Sequence, residues 1–257
     1  MLTIDQIKKI YAENIFMRSP RAILVEYLQH EILDSIYKQK GSEKLSFIGG
    51  TAIRIVYGGK RFSEDLDFDN FGLSYPQFQE LLKKVVLDME AKGFEIEFKF
   101  VAKGAYHCYI KFPKILQNNN LAIHREEKIL VRIDTVNKIK NVSPEIFILD
   151  KFDVYRKILV NSPGALLAQK IIALLERKRD KGRDLYDISF LLGKTDPDYS
   201  YLEKTREIKK DKLKNILLKK IDKLDIKKLV EDVSPFLIDI NDRERILSFR
   251  EYINNKI

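Results

Sequence analysis

Cysteine, histidine and long apolar runs are scarce in this sequence of 257 residues, and each scarcity excludes a class of protein. The single cysteine, Cys108, excludes an intrachain disulfide and a zinc site built on cysteines. Of the three histidines, His107 and His124 lack the spacing of metal ligands, so they receive no predicted role. No run approaches the ~18 apolar residues that a membrane span needs. Residues 1–14 lack the basic-then-apolar pattern of a secretory signal, which predicts a soluble, cytoplasmic protein.

Acidic residues are outnumbered by basic ones. The chain has 47 Lys and Arg against 38 Asp and Glu, a net charge of +9 and a pI near 9.3. A basic excess of this size favours a polyanionic partner, most simply nucleic acid. The alternative is a lysine-rich composition without meaning for binding, and charge alone does not decide between them. Hydrophobic residues make up 45% of the chain, which is enough for a core and not typical of disorder.

Apolar periodicity predicts helices mixed with strands in the first part of the chain, and hence an α/β or α+β domain. The predicted helices cover about residues 4–13, 21–39, 51–57 and 75–92, and Gly93 closes the last of them. Strands are predicted at residues 43–48 and 65–69, in a hairpin formed by residues 94–103 and 105–113, and at residues 128–136.

The pattern becomes helical after residue 150. Ser162 and Pro163 mark the start of a long apolar helix, and a second helix contains residues 183–193. Residues 202–230 hold eleven Lys and Arg against five Asp and Glu. We therefore predict two domains, residues 1–150 and a helical domain of residues 151–257.

Three acids alternate along the strand predicted at residues 65–69. Side chains two positions apart on a strand project to the same face, so Asp65 and Asp67 lie together. Two such carboxylates repel each other unless a positive charge lies between them. Mg²⁺ prefers oxygen ligands, and Asp134, in an otherwise apolar strand, supplies a third carboxylate. Asp69 has the right parity, but it precedes a turn and is the member expected to face solvent.

The glycine pair Gly49-Gly50 ends a predicted strand just before a predicted helix. Glycine lets backbone N–H groups approach an anion, a helix N-terminus is partially positive, and Thr51 adds a hydroxyl. Strand, Gly-Gly-Thr, short helix and Asp-x-Asp together predict a phosphate-binding turn beside a metal site. Each motif alone is common and usually structural, but the combination favours phosphoryl chemistry.

The segment FIGGTAIRIVYGGKRFSEDLDFD, residues 47–69, resembles the signature of the AbiEii/AbiGii toxin family in the DNA polymerase β-type nucleotidyltransferase superfamily. The superfamily pattern is an apolar strand, Gly-Gly or Gly-Ser, a spacer, and Asp-x-Asp or Asp-x-Glu. Fourteen residues separate Gly50 from Asp65 here. A second block, LLAQKIIALLERKRDKGRDLYDISFLL, residues 166–192, resembles the downstream block of the family.

The resemblance implies a nucleotidyltransferase mixed sheet with flanking helices, followed by a helical C-terminal domain. It also implies that one or two Mg²⁺ ions are bound with the nucleoside triphosphate donor by Asp65, Asp67 and Asp134. Residues with an implied nucleotide contact are Gly49, Gly50, Thr51, Arg61, Ser63 and Lys170.

The resemblance further implies that Lys170 and Asp184 are an additional essential pair of the family, with Asp187 nearby. Without the resemblance, the apolar residues around Lys170 favour a lysine whose aliphatic stem is buried and whose charged end reaches solvent. Asp184 and Asp187 share a helix face, and Arg183 or Lys181 are candidate partners in plain salt bridges.

Family members act as toxins in toxin–antitoxin or phage-defence systems, and the resemblance implies nucleotide transfer to the 3′ acceptor end of tRNA. It also implies a separate antitoxin with a winged-helix part. Transfer to a protein or small molecule, phosphoryl transfer, and a non-catalytic RNA- or antitoxin-binding module remain alternatives. A basic turn is the candidate RNA contact, with a solvated helix–helix turn as its alternative: Arg177, Lys178, Arg179, Lys181 and Arg183.

Overall fold

The structure is a computed structural model that describes residues 1–102, 104–124, 126–137 and 142–257. Its seven strands are β1 (Leu45–Ile48), β2 (Leu66–Asn70), β3 (Glu97–Ala102), β4 (Tyr106–Phe112), β5 (Ile129–Asn137), β6 (Glu145–Lys151) and β7 (Val154–Val160). The helices are α1 (Ile4–Lys8), α2 (Glu13–Arg18), α3 (Pro20–Tyr37), α4 (Gly49–Ile55), α5 (Tyr75–Ala91), α6 (Ile115–Asn118), α7 (Pro163–Glu176), α8 (Gly182–Leu192), α9 (Tyr199–Arg206), α10 (Lys210–Ile221), α11 (Ile226–Val233), α12 (Glu244–Leu247) and α13 (Phe249–Lys256).

All seven strands form one mixed sheet in the order β3-β4-β5-β2-β1-β7-β6. The pairs β2–β5 and β1–β7 are parallel, and the other neighbours are antiparallel. The sheet with its flanking helices confirms the predicted α/β class.

The chain divides into two compact units. Unit 1 contains Met1–Ala52, Phe62–Lys140 and Pro144–Val160, and unit 2 contains Ile53–Arg61, Asn141–Ser143 and Asn161–Ile257. The sheet lies in unit 1, because all seven strands fall within the three segments of that unit. Helices α7 to α13 belong to unit 2.

Helix α3 is the central helix of unit 1. It packs against α5, β5 and β7, and every residue from 23 to 36 is buried. Because several of these residues are polar, each needs a partner inside the protein. Asp34 bonds to Lys92 Nζ and Arg156 Nε at 2.8 Å each, and Gln29 donates to the backbone of residues 63 and 64.

Local signals begin and end several helices where the sequence predicts them. Ser74 forms a capping box with Gln77 at the start of α5, and Gly93 follows its end at φ +92°. Ser162 accepts a hydrogen bond from the backbone N–H of Ala165 at the start of α7. Among the described residues, no helix has both the length and the apolar character needed to cross a membrane.

The N-terminal helix prediction was wrong, because the segment forms two short helices, α1 and α2, rather than one. Ala12 lies between them in an extended conformation, at φ −62° and ψ 141°, which starts a new helix at Glu13. The hydrophobic pattern also did not predict β6 and β7. Their tight connection uses Phe152 and Asp153, which have φ values of +58° and +60°.

Candidate active site

Adjacent parallel strands bring the predicted acids together in unit 1. Strands β2 and β5 pair so that Asp67 lies directly opposite Asp134. Asp65 immediately precedes β2 and has the same parity as Asp67, so all three acids belong to one face of the sheet. The side chains of Asp65 and Asp134 are 28% and 17% exposed, which leaves them partly accessible to a ligand.

Gly49 borders the Asp67 carboxylate directly. It has φ +80°, and a Cβ at this position would collide with Asp67 Oδ2 and lie 3.0 Å from Asp67 Cγ. Any other residue would therefore strain the backbone and displace the acid. Gly49 begins helix α4, two residues before the predicted helix start, and Gly50 is buried within its first turn.

Two buried side chains hold the backbone that leads into Asp65. The Thr51 hydroxyl donates to the carbonyl of Asp65, and Gln29 Nε2 donates to the carbonyls of Ser63 and Glu64 at 2.9 and 3.0 Å. Thr51 is fully buried. Its hydroxyl therefore already has a partner inside the protein. Contact of this hydroxyl with phosphate stays a prediction, and it would require the hydrogen bond to the Asp65 carbonyl to break.

Two residues without a predicted role contact the acids. Arg132 Nη2 lies 2.9 Å from Asp65 Oδ2, and its Nε lies 2.9 Å from Asp134 Oδ2. His107 Nδ1 lies 2.7 Å from the other oxygen of Asp134. Arg132 precedes Asp134 by two positions on one strand, so parity was a signal for it. His107 required the β4–β5 register, which places it opposite Asp134.

These contacts hold two of the three carboxylates, those of Asp65 and Asp134. Burial lowers the pKa of Arg132, but Asp65, Asp134 and Asp67 outweigh that effect, so its pKa lies above the ordinary value. In the described part of the chain, no group of three or more His, Cys, Asp or Glu side chains converges on one point as a metal site would. The oxygen donors suit a hard cation, and the guanidinium of Arg132 is the cation between two of them.

Asp69 does not face solvent, so that expectation was wrong. It is 1% exposed and lies opposite Ser46 in the β1–β2 pair. Strand β2 continues to Asn70, so Asp69 lies within the strand and not in the turn that follows it.

A second charged cluster lies inside unit 2. Lys170 on α7 bonds to Asp184 Oδ1 at 3.0 Å and to Asp187 Oδ2 at 2.8 Å. Arg61 makes two hydrogen bonds to Asp187, at 2.7 and 2.6 Å, and Arg177 Nε lies 3.1 Å from Asp184. The partners of the two acids are therefore Arg61, Lys170 and Arg177, and not the adjacent basic residues of the sequence.

This cluster is nearly inaccessible to solvent. The side chains of Asp184 and Asp187 are 1% exposed, that of Arg61 is 3% exposed and that of Lys170 is 13% exposed. Burial raises the pKa of Asp187, but Arg61 and Lys170 lower it more, so it lies below its usual range. Contact of Arg61 with a nucleotide stays a prediction, and it requires loss of a buried bidentate pair.

The basic turn between α7 and α8 is only partly solvated. Arg177, Lys178 and Arg179 are exposed, whereas Lys181 and Arg183 are half-buried. Lys181 lies 3.5 Å from Asp232. The exposed charges of this turn are therefore its first three basic residues.

The fold resembles that of solved structures, one of which is a nucleotidyltransferase toxin. MenT4, a nucleotidyltransferase toxin from Mycobacterium tuberculosis H37Rv, superposes with a TM-score of 0.61 at 15% identity, over 99% of this chain and 90% of that chain. JHP933 from Helicobacter pylori superposes with a TM-score of 0.57 at 18% identity, over 91% of each chain. These identities establish similarity of fold alone.

Sequence comparison gives the family. A search of curated proteins found no match. The sequence profile described as "Nucleotidyl transferase AbiEii toxin, Type IV TA system" matches residues 31–255, which is most of the chain. This match includes the Gly-Gly turn, all three acids and the charged cluster of unit 2. The chain therefore belongs to the AbiEii nucleotidyltransferase toxin family of type IV toxin–antitoxin systems, and it is a nucleotidyltransferase.

Proposed function

We propose that this toxin transfers a nucleotide from a nucleoside triphosphate to RNA, at the 3′ acceptor end of tRNA, in a reaction that depends on Mg²⁺. The observation that carries the proposal is the face of the sheet formed by Asp65, Asp67 and Asp134, with Gly49 beside it. Carboxylates on neighbouring strands next to a residue without a side chain suit a metal-bound triphosphate.

Asp65, Asp67 and Asp134 would hold Mg²⁺. When bound, the ion neutralises charge on the phosphates and lowers the pKa of the attacking hydroxyl. Gly49 leaves the space beside Asp67 free of a side chain. His107 holds one oxygen of Asp134, and Thr51 holds the backbone carbonyl of Asp65.

Unit 2 favours RNA as the acceptor, because its surface is rich in lysine. Phosphate contacts supply most sequence-independent affinity for nucleic acid, and exposed lysines are suited to make them. Besides the exposed part of the basic turn, residues 199–233 carry these exposed lysines: Lys204, Lys209, Lys210, Lys212, Lys219, Lys223, Lys227 and Lys228.

The Lys170–Asp184 pair would contribute to activity by holding α7 against α8. Both side chains are already bonded within unit 2, and Asp184 is almost fully buried. We therefore assign them a positioning role. Lys170→Met, which removes the charge and keeps the apolar stem, should lower the thermal stability of the protein together with its activity. A variant that melts like the wild type yet is inactive would instead indicate direct contact with the substrate.

The test is incubation with total tRNA, Mg²⁺ and each α-³²P-labelled nucleoside triphosphate in turn, followed by a denaturing gel. Asp67→Asn is the inactive variant, and Asp150→Asn is its matched control, because Asp150 is an exposed acid on strand β6. Label on tRNA with one nucleotide, lost in Asp67→Asn and kept in Asp150→Asn, is the expected result.

Other outcomes would redirect the proposal. Label on a protein instead of tRNA would replace the acceptor and leave the chemistry unchanged. Transfer from a γ-labelled donor only would indicate phosphoryl transfer. No transfer from either label, with tRNA still bound, would favour a binding module. Equal activity in Asp67→Asn and Asp150→Asn would refute the assignment of Asp67 to the active site.

A further inference from the structure

One arginine occupies the position between two acids of the candidate metal site. The guanidinium of Arg132 donates a hydrogen bond from Nη2 to Asp65 Oδ2 at 2.9 Å. Its Nε forms an ion pair with Asp134 Oδ2, also at 2.9 Å but without hydrogen-bond geometry, and the two contacts together form a bridge between the acids. The side chain is 38% exposed, so one side of it reaches solvent and it has room to move. Arginine keeps its charge at any ordinary pH, so the bridge does not weaken by losing a proton.

The bridge directs the carboxylates towards the guanidinium rather than towards a common point. Asp134 has one oxygen in an ion pair with Arg132 and the other in a hydrogen bond with His107, so both of its oxygens already have partners. The described residues accordingly contain no three-ligand group arranged for an ion. A divalent cation that binds Asp65 and Asp134 must take up oxygen atoms that the guanidinium now holds.

We propose that Arg132 is an internal competitor of the divalent cation. The guanidinium holds Asp65 and Asp134 when the metal is absent, offsets their repulsion, and moves away when the metal binds. The inference rests on the proposed metal-dependent function. Its consequence is that the wild-type site binds a metal ion more weakly than the same carboxylates would without Arg132.

Two substitutions separate the bridge from its charge. Arg132→Gln removes both, whereas Arg132→Lys keeps the charge but loses the planar fork that reaches two carboxylates at once. Arg156→Gln is a matched control, because Arg156 is a half-exposed strand arginine that is paired to Asp34 at 2.8 Å. Mn²⁺ alone is the probe, and its affinity is measured by titration calorimetry and by the electron paramagnetic resonance signal of free Mn²⁺.

We expect Arg132→Gln to bind Mn²⁺ most tightly and Arg132→Lys less tightly. The wild type and Arg156→Gln should bind it most weakly and equally. We expect about a tenfold tighter dissociation constant for Arg132→Gln, the equivalent of losing about one favourable ion pair. The metal-free Arg132→Gln protein should also melt at a lower temperature, and saturating Mn²⁺ should raise its melting temperature more than that of the wild type.

Each remaining outcome would refute either the competition by Arg132 or the metal site itself. Equal Mn²⁺ affinity in all four proteins would refute competition by Arg132 and leave the metal site intact. Tighter binding in Arg132→Gln but wild-type affinity in Arg132→Lys would show that local charge, not the bridge, sets the affinity, which also refutes the inference. No Mn²⁺ binding by any of the proteins would refute the metal site and the competition together. If Arg132→Gln does not fold, Arg132→Lys against wild type decides the inference.

Discussion

Replacement of Gly49 by alanine tests whether the glycine turn and the acids form one site. An alanine at φ +80° incurs the steric cost of the left-handed region, about 1 kcal/mol in the free energy of unfolding. Its Cβ also collides with the Asp67 carboxylate, which must rotate away from its present position. A side chain forced about 30° from its preferred torsion costs roughly 1 kcal/mol more.

Gly93→Ala is the matched control. Gly93 has φ +92°, close to that of Gly49, but a Cβ there meets no atom within 4 Å. The two variants therefore share the backbone cost and differ in the collision. We expect Gly93→Ala to lose about 1 kcal/mol of stability and Gly49→Ala about 2 kcal/mol in urea unfolding.

Activity should separate the two variants more sharply than stability does. A displacement of about 1 Å in a reacting group lowers the rate by roughly 10²-fold, so Gly49→Ala should lose transferase activity by about that factor. Gly93→Ala should keep wild-type activity at a temperature where both proteins are folded. Similar activity in the two variants would refute the idea that the missing side chain of Gly49 matters to Asp67.

Three further outcomes are expected. Thr51→Val removes the donor to the buried Asp65 carbonyl and should cost about 1–3 kcal/mol of stability in urea unfolding, whereas Thr51→Ser should retain most of it; equal losses would contradict a hydrogen-bonding role. Asp187→Asn leaves the buried Arg61 without its anion and should destabilise the protein by about 3–5 kcal/mol in the same assay, and a loss below 1 kcal/mol would show that the pair is not buried in solution. Burial raises the pKa of Asp34, but its lysine and arginine partners lower it more, to about 2. The ionised carboxylate should therefore contribute fully to the free energy of unfolding above pH ~4, and this contribution should be lost as the pH falls towards about 2. Acid unfolding of Asp34→Asn should have a shallower pH dependence in this range than that of the wild type, and an unchanged slope would refute the role of the Asp34 ion pairs.

The acids and the glycine turn were predictable because strand parity and turn chemistry are local. Asp65 and Asp67 share a face on any strand, so only the pairing of β2 with β5 remained to be found. Strand parity also predicts that Arg132 shares a face with Asp134, two positions further along the strand. It does not predict the contact with Asp65, which belongs to another part of the sheet. Contacts between strands depend on register, which residue types alone do not specify.

Strands β6 and β7 could not be predicted for a different reason. Their hairpin turn needs positive φ at both central positions, which glycine or asparagine normally supplies. Phe152 and Asp153 adopt it instead. Phe152 is buried, with its ring 5.5 Å from Tyr27 and 4.9 Å from His30. The packing of Phe152 therefore offsets the energetic cost of its positive φ. Because sequence patterns do not include this packing, they predict no turn at these residues.

The same limit applied to the charged cluster of unit 2. The adjacent residues Lys181 and Arg183 were reasonable partners for Asp184 and Asp187 on a helix. The actual bidentate partner, Arg61, is 126 residues away from Asp187 along the chain. A pair so distant in sequence follows from the three-dimensional fold and not from spacing.

The division of the chain at residues 53–61 has a consequence for synthesis of the protein on the ribosome. Residues 53–61 belong to unit 2, where Arg61 pairs with Asp187 and Lys60 accepts a hydrogen bond from the backbone N–H of Ile238. They lie in the segment that connects Thr51 to Asp65, and the partners Asp187 and Ile238 are translated long after that segment. A truncated chain of residues 1–160 would lack the partners of Lys60 and Arg61, so we expect nascent or prematurely terminated toxin to have no transferase activity.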